Sequence, residues 1–148
     1  MKYNIKKLTV EHYASVRDIF NQQFPYKDFS LADLHTSWRD RSRDLSIGIF
    51  TKEGDLLGFA LVENNYTSFI AIHSSYQGNN LGSNLITNIL KKCIRDNRSM
   101  YLYPLHQKQN LIKWYGSYGF HKTYDGYLTF HCHHTRRQSP FLNKLFTR

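Results

Sequence analysis

Two hydrophobic periods alternate along this chain. From Leu81 onward the spacing is helical: Leu81, Leu85, Ile86, Ile89, Leu90, Cys93 and Ile94 fall on one face. Lys91, Lys92, Arg95 and Arg98 decorate the last turn of that helix and the residues beyond it, where cations suit the helix dipole. Leu31, Leu34 and Trp38 repeat at the same period behind Ser30, a good N-cap. Thr9 is placed to cap another helix over residues 10–21, with Glu11 and His12 in its first turn. A fourth helix is expected over residues 110–118, stopped by Gly119. Short apolar and aromatic runs predict strands over residues 3–8, 45–51, 56–63, 66–73, 99–103, 120–123 and 127–132. Lys52-Glu53-Gly54-Asp55 and Asn64-Asn65 supply the turns between the second, third and fourth strands. The predicted order is strand, two helices, three antiparallel strands, helix, strand, helix, two strands. It implies an α/β (α+β) fold, a mixed and mostly antiparallel sheet with helices on both faces.

Ile70-Ala71-Ile72-His73-Ser74-Ser75-Tyr76-Gln77-Gly78-Asn79-Asn80-Leu81-Gly82-Ser83 stands out against that background. A strand runs through a loop of small and amide residues into the strongest helix of the chain. Such a loop turns several backbone N–H groups toward one point, and the helix N-terminus adds partial positive charge. This combination holds phosphate. A tight strand-to-helix turn would use the same glycines for backbone geometry alone.

Composition narrows the reading. A length of 148 residues fits a single domain, 1–148, with residues 132–148 as a basic and aromatic extension. A net charge of +9 favours anionic partners. The basic residues are spread along the chain rather than gathered in a stripe, so nucleic acid is not favoured over a phosphate-bearing small molecule. Only Cys93 and Cys132 occur, which points to a reducing, cytoplasmic setting. Cys93 falls on the apolar helix face, as a core residue does. No apolar run approaches the length of a membrane span, and residues 1–7 have no signal-like apolar segment. In His131-Cys132-His133-His134, strand alternation splits the ligating groups between two faces, and no metal site is expected. The run from Ser139 to Phe146 has the pattern of a short amphipathic helix.

Two further motifs join the loop. Gln77-Gly78-Asn79-Asn80-Leu81-Gly82 is similar to the Arg/Gln-x-x-Gly-x-Gly/Ala pyrophosphate loop of the GNAT superfamily of N-acetyltransferases. Tyr115-Gly116-Ser117-Tyr118-Gly119-Phe120 resembles that family's Tyr-x-x-x-Gly-Phe ending. The strand before the loop is the third shared element. The resemblance covers roughly residues 3–131, and its specificity lies in the joint order of the motifs. It departs from the family in two places. Asn80 stands where the family has its first glycine, although asparagine tolerates the left-handed region. Lys108 stands where an asparagine is often found, and Asn110 either takes over that contact or caps the helix.

The resemblance implies acetyl-CoA as co-substrate, no metal, and transfer to a primary amine, of a small molecule or a protein, by direct attack in a ternary complex. Backbone groups of Ala71 and Ile72 would pair with the pantetheine arm, in a slot where this strand splays from the next. Gln77, Gly78, Asn79, Asn80, Leu81, Gly82 and Ser83 would hold the pyrophosphate, with Asn110 as a further cofactor contact. Tyr115 would be the acid for the leaving thiolate. Phe24, Tyr26 and Phe29 would wall the acceptor site. Glu63, His73 and His106 are candidates for the base, and none has a motif behind it. The alternative is a degenerate module of the same fold that holds coenzyme A, or a partner, without turnover. A homodimer is left open.

Overall fold

A computed structural model describes residues 2–25 and 27–132. Tyr26 and the tail from His133, including the expected helix at 139–146, lie outside the described residues. The contacts divide the chain into two compact units, one of residues up to 64 with 68–86, the other of residues 65–67 with those from 87 onward.

The first unit begins with β1 (Tyr3–Lys7) and a 3-10 turn, Val10–His12, that leads into α1 (Tyr13–Gln23). The expected helix over 10–21 therefore starts as a tighter coil and ends later. His12 Nδ1 reaches back to accept the Thr9 N–H at 3.0 Å, which closes that first turn. α2 (Leu31–Arg39) starts directly after the expected cap Ser30. Ser30 and Asp33 cap it reciprocally: the Asp33 N–H donates to Ser30 Oγ at 3.2 Å, and the Ser30 N–H donates to Asp33 Oδ2 at 2.7 Å.

β2 (Ile47–Thr51), β3 (Leu56–Glu63) and β4 (Tyr66–Ile72) follow. β1 pairs antiparallel with β2 from Tyr3↔Thr51 to Lys7↔Ile47, and β2 pairs antiparallel with β3. All six interior residues of β3 are buried, so both faces of that strand are covered. One core cluster joins Val16, Ile19 and Phe20 of α1 to Leu34 and Trp38 of α2, and to Phe59, Leu61 and Phe69 of the strands. The helix periodicities read from the sequence thus supply this core directly.

The second unit takes the first two residues of β4, the later part of α3 (Leu81–Arg95), β5 (Met100–Leu102), α4 (Gln109–Gly116), β6 (His121–Lys122) and β7 (Leu128–Phe130). β5 and β6 both pair antiparallel with β7. β5 runs parallel to β4 through Tyr66↔Tyr101 and Thr67↔Leu102. Met100 and Leu102 are buried and Tyr101 is exposed, the alternation of a one-sided strand. Taken along the hydrogen bonds, the strand order is β1-β2-β3-β4-β5-β7-β6. The fold class is the expected mixed, mostly antiparallel α/β arrangement. The short strands β5, β6 and β7 come out one or two residues shorter at each end than the sequence suggests. Among the described residues, no helix is long and apolar enough to cross a membrane.

Candidate cofactor-binding turn and the Tyr115 motif

The chain leaves β4 at Ile72 and enters a single 3-10 turn, Ser74–Tyr76, where the sequence suggests open loop. Its N-terminal N–H groups are closed by side chains. The Ser75 N–H donates to His73 Nδ1 at 3.1 Å, and the Ser74 N–H donates to Gln22 Oε1 of α1 at 3.1 Å. Gln22 is the residue that sequence reasoning missed. It lies 52 positions earlier, on the exposed side of α1, and nothing in its local pattern marks it.

The backbone N–H groups then become free. Those of Gly78, Asn79, Asn80, Leu81 and Gly82 make no hydrogen bond among the described residues. Inside α3 the Asn84 N–H donates to the Asn80 carbonyl at 3.1 Å. Gly78 (φ +87°) and Asn80 (φ +61°) are left-handed, with Asn79 between them outside that region. This alternation is the backbone pattern of a nest, and it lies next to the N-terminus of α3. Asn80 takes the backbone conformation that a glycine would, as its tolerance for positive φ allows. Gln77, Gly78, Asn79 and Asn80 are exposed. The Gln77 amide reaches back to the Ile72 carbonyl at 3.4 Å, and Asn79 Nδ2 donates to the Tyr76 carbonyl at 3.0 Å.

Ala71 and Ile72 point opposite ways. A Cβ on Gly58 would stand 2.9 Å from the Ala71 carbonyl oxygen and 2.5 Å from Ile72 Cδ1, so β3 approaches β4 closely at a glycine and Ala71 faces β3. The His73 N–H also donates toward β3, to the Leu57 carbonyl at 2.7 Å. By alternation, the Ile72 backbone faces the edge that β3 does not use.

The other expected residues of this unit are distributed as follows. Phe24 and Phe29 are half-buried, 5.7 Å apart, and both ring centroids stand within 5.3 Å of Phe69 on β4. Glu63 is half-buried and accepts from Ser37 Oγ of α2 at 3.0 Å and from Ser68 Oγ of β4. It ties α2, β3 and β4 together. His73 has its Nδ1 lone pair committed to the Ser75 N–H.

The second unit carries Tyr115 near the end of α4. The Gly119 N–H donates to the Gly116 carbonyl at 3.0 Å, and the Phe120 N–H donates to the Tyr115 carbonyl at 3.3 Å. Gly119 has φ +102°. This is the Schellman pattern of a helix C-terminus. The Tyr-x-x-x-Gly-Phe motif is thus a helix stop with Tyr115 in its last turn. The Tyr115 ring is buried, packs edge-on to Trp114 and Phe120, and burial pushes its phenol far above the usual tyrosine range. Asn110 is exposed in the first turn of α4, whose cap position belongs to Lys108, so Asn110 does not cap the helix. His106 is exposed with φ +53°. Cys93 is fully buried and burial raises its thiol to about 11, while the buried Cys132 donates to Asn97 Oδ1 at 2.9 Å. Among the described residues, no group of three or more His, Cys, Asp or Glu is placed to hold a metal ion.

A family model for an acetyltransferase (GNAT) domain matches residues 9–136. The chain belongs to the GNAT acetyltransferase family. Solved GNAT structures share its fold at low identity. The ribosomal-protein-S18-alanine N-acetyltransferase of Escherichia coli superposes with a TM-score of 0.71 at 18% identity, covering 87% of this chain and 93% of its own. Arabidopsis thaliana Naa50, solved with the bisubstrate analogue CoA-Ac-MVNAL, gives 0.66 at 18% identity, covering 87% and 98%. The PaiA N-acetyltransferase of Thermoplasma acidophilum, solved with coenzyme A, gives 0.63 at 17% identity, covering 88% and 99%. No curated protein sequence matches the chain. The GNAT assignment accounts for the order of the nest, α3 and the Tyr115 helix stop.

Proposed function

We propose that this chain is an acetyl-CoA-dependent N-acetyltransferase that moves an acetyl group to a primary amine. The observation that carries this reading is the run of unpartnered N–H groups from Gly78 to Gly82 at the start of α3. Their nest geometry suits the diphosphate of coenzyme A. Along the edge of β4 that β3 leaves unused, the Ile72 backbone is the best placed to pair with the pantetheine amides. Backbone groups on such an edge gain by finding a partner.

The amine nitrogen attacks the thioester carbonyl carbon, the C–S bond breaks, and the thiolate takes up a proton. Tyr115 is the proposed donor of that proton, because burial keeps its phenol protonated. A thiol leaving group with a pKa near ~8.5 needs only modest help. The amine, with a pKa near ~10, must lose its proton first, and water suffices as the carrier in this reading. Direct attack is favoured over a covalent acetyl-cysteine because Cys93 is buried with a raised thiol and Cys132 is buried and hydrogen-bonded. The exposed parts of Phe24 and Phe29 would flank the acceptor. The two free cysteines suit a cytoplasmic setting.

The test is incubation with acetyl-CoA and a panel of small amines and peptides, following free thiol. Turnover with any acceptor supports the enzyme. Coenzyme A binding with no turnover across the panel would favour the degenerate module. Absence of coenzyme A binding in calorimetry would reject the site.

A further inference from the structure

We propose that His73 and Gln22 are positioning residues of the phosphate-binding turn, and that a second proton on His73 opens that turn. The proposal rests on the diphosphate reading of the Gly78–Gly82 nest. Three contacts define it: the Ser75 N–H to His73 Nδ1 at 3.1 Å, the Ser74 N–H to Gln22 Oε1 at 3.1 Å, and Gln22 Nε2 beside His73 Nε2 at 3.3 Å. With the Tyr76 N–H donating to the His73 carbonyl at 2.9 Å, they fix the 3-10 turn that aims the following N–H groups.

The proton count decides the chemistry. A backbone N–H can only donate, so His73 Nδ1 carries a lone pair and the single proton of the neutral ring sits on Nε2. Nε2–H then needs the Gln22 oxygen, which the Ser74 N–H also needs. Whichever way the amide is turned, one contact is donor against donor, so the network is one acceptor short even with a neutral ring. The Gln22–His73 contact is the longest of the three and is the one that gives. A second proton would have to go on Nδ1, directly against the Ser75 N–H, so the imidazolium cannot keep the cap.

The groups that border His73 come from several elements. The Tyr76 ring lies edge-on at 5.5 Å, and Gln22 is uncharged. A cavity of about 250 Å³ bordered by His73 also receives His12, Asp18 and Asp55. An imidazolium beside the turn also attracts a diphosphate, but this charge stands on a solvated rim and is screened. Loss of the cap therefore outweighs it.

The experiment follows the full chain by NMR and by calorimetry with coenzyme A, from about pH 8 to about pH 5. The Ser75 amide shift should move in step with the His73 ring signals, without ligand present. Wild-type affinity should fall about threefold to tenfold as the ring protonates, the range for losing one cap. His73→Asn keeps a neutral acceptor for the Ser75 N–H, so it should retain the neutral-pH affinity and lose the pH slope. Gln22→Ala should weaken binding at neutral pH and keep the slope. A silent Ser75 amide, a wild-type slope in His73→Asn, or tighter binding on acidification would overturn the proposal. Failure of the wild type to bind coenzyme A at every pH would reject the diphosphate reading instead, and the Ser75 amide would still decide whether His73 controls the turn.

Discussion

The rings of Tyr115 and Phe120 lie 5.5 Å apart, centroid to centroid, across a helix stop that also joins their backbones. Gly119, at φ +102°, makes this closure possible. An L side chain there is strained by about 1–2 kcal/mol. Gly119→Ala should therefore lower unfolding stability by that amount in urea titration, with the denaturant slope unchanged. An unaltered midpoint would mean that the stop does not depend on the left-handed residue.

The Tyr115 hydroxyl can be tested apart from its ring. Tyr115→Phe keeps the aromatic contacts with Trp114 and Phe120 and removes the proton donor. The expected result is a fall in kcat of about 10- to 100-fold, at the low end for general acids because a thiolate leaves readily. Coenzyme A affinity should stay within about twofold. Because burial raises the phenol, the folded enzyme keeps Tyr115 protonated beyond the ordinary tyrosine pKa near ~10. No alkaline loss of kcat below that pH should vanish in Tyr115→Phe. If kcat is unchanged by the substitution, Tyr115 has no part in proton transfer.

Periodicity makes the long elements legible in the sequence. Leu81 through Ile94 and Leu31 through Trp38 each carry enough repeats on one face to fix type and position. β5, β6 and β7 have three residues or fewer, too short for alternation to mark their ends. The left-handed turns at Gly78 and Asn80 were legible because glycine and asparagine favour positive φ. Gln22 was not, because its role depends on α1 packing beside the start of the turn, a relation 52 residues apart that no local pattern encodes. His73 was legible only as a candidate base at the strand end. Its use as a cap required knowing that Ser75 folds back in a 3-10 turn.

Asn80 is the sharpest test of the nest. Its φ of +61° is available to asparagine and easier still for glycine, whereas a β-branched residue is excluded from it. Asn80→Gly should bind coenzyme A at least as well as the wild type. Asn80→Val should lose affinity by about tenfold or more, equivalent to roughly 1.4 kcal/mol of strain or a rearranged turn. Calorimetry on both variants checks this. Equal affinities would mean that the ligand does not read the conformation of this turn.

Cys93 links burial to alkaline stability. Burial pushes its thiol from 9.0 up to about 11, partly offset by the nearby Arg98. The unfolded chain releases this proton near the ordinary cysteine value, and the folded chain holds it for about two further units. Between those values the unfolded state binds fewer protons, so stability falls as pH rises. The contribution is fully present below about pH 9 and gone above about pH 11, a loss of about 2–3 kcal/mol. Cys93→Ala lacks the titration and pays a small cavity cost at every pH, of roughly 1 kcal/mol. Unfolding free energies of the two proteins should therefore converge and then cross as pH rises through that window. Curves that stay parallel would show that the Cys93 thiol is not held in its neutral form by the fold.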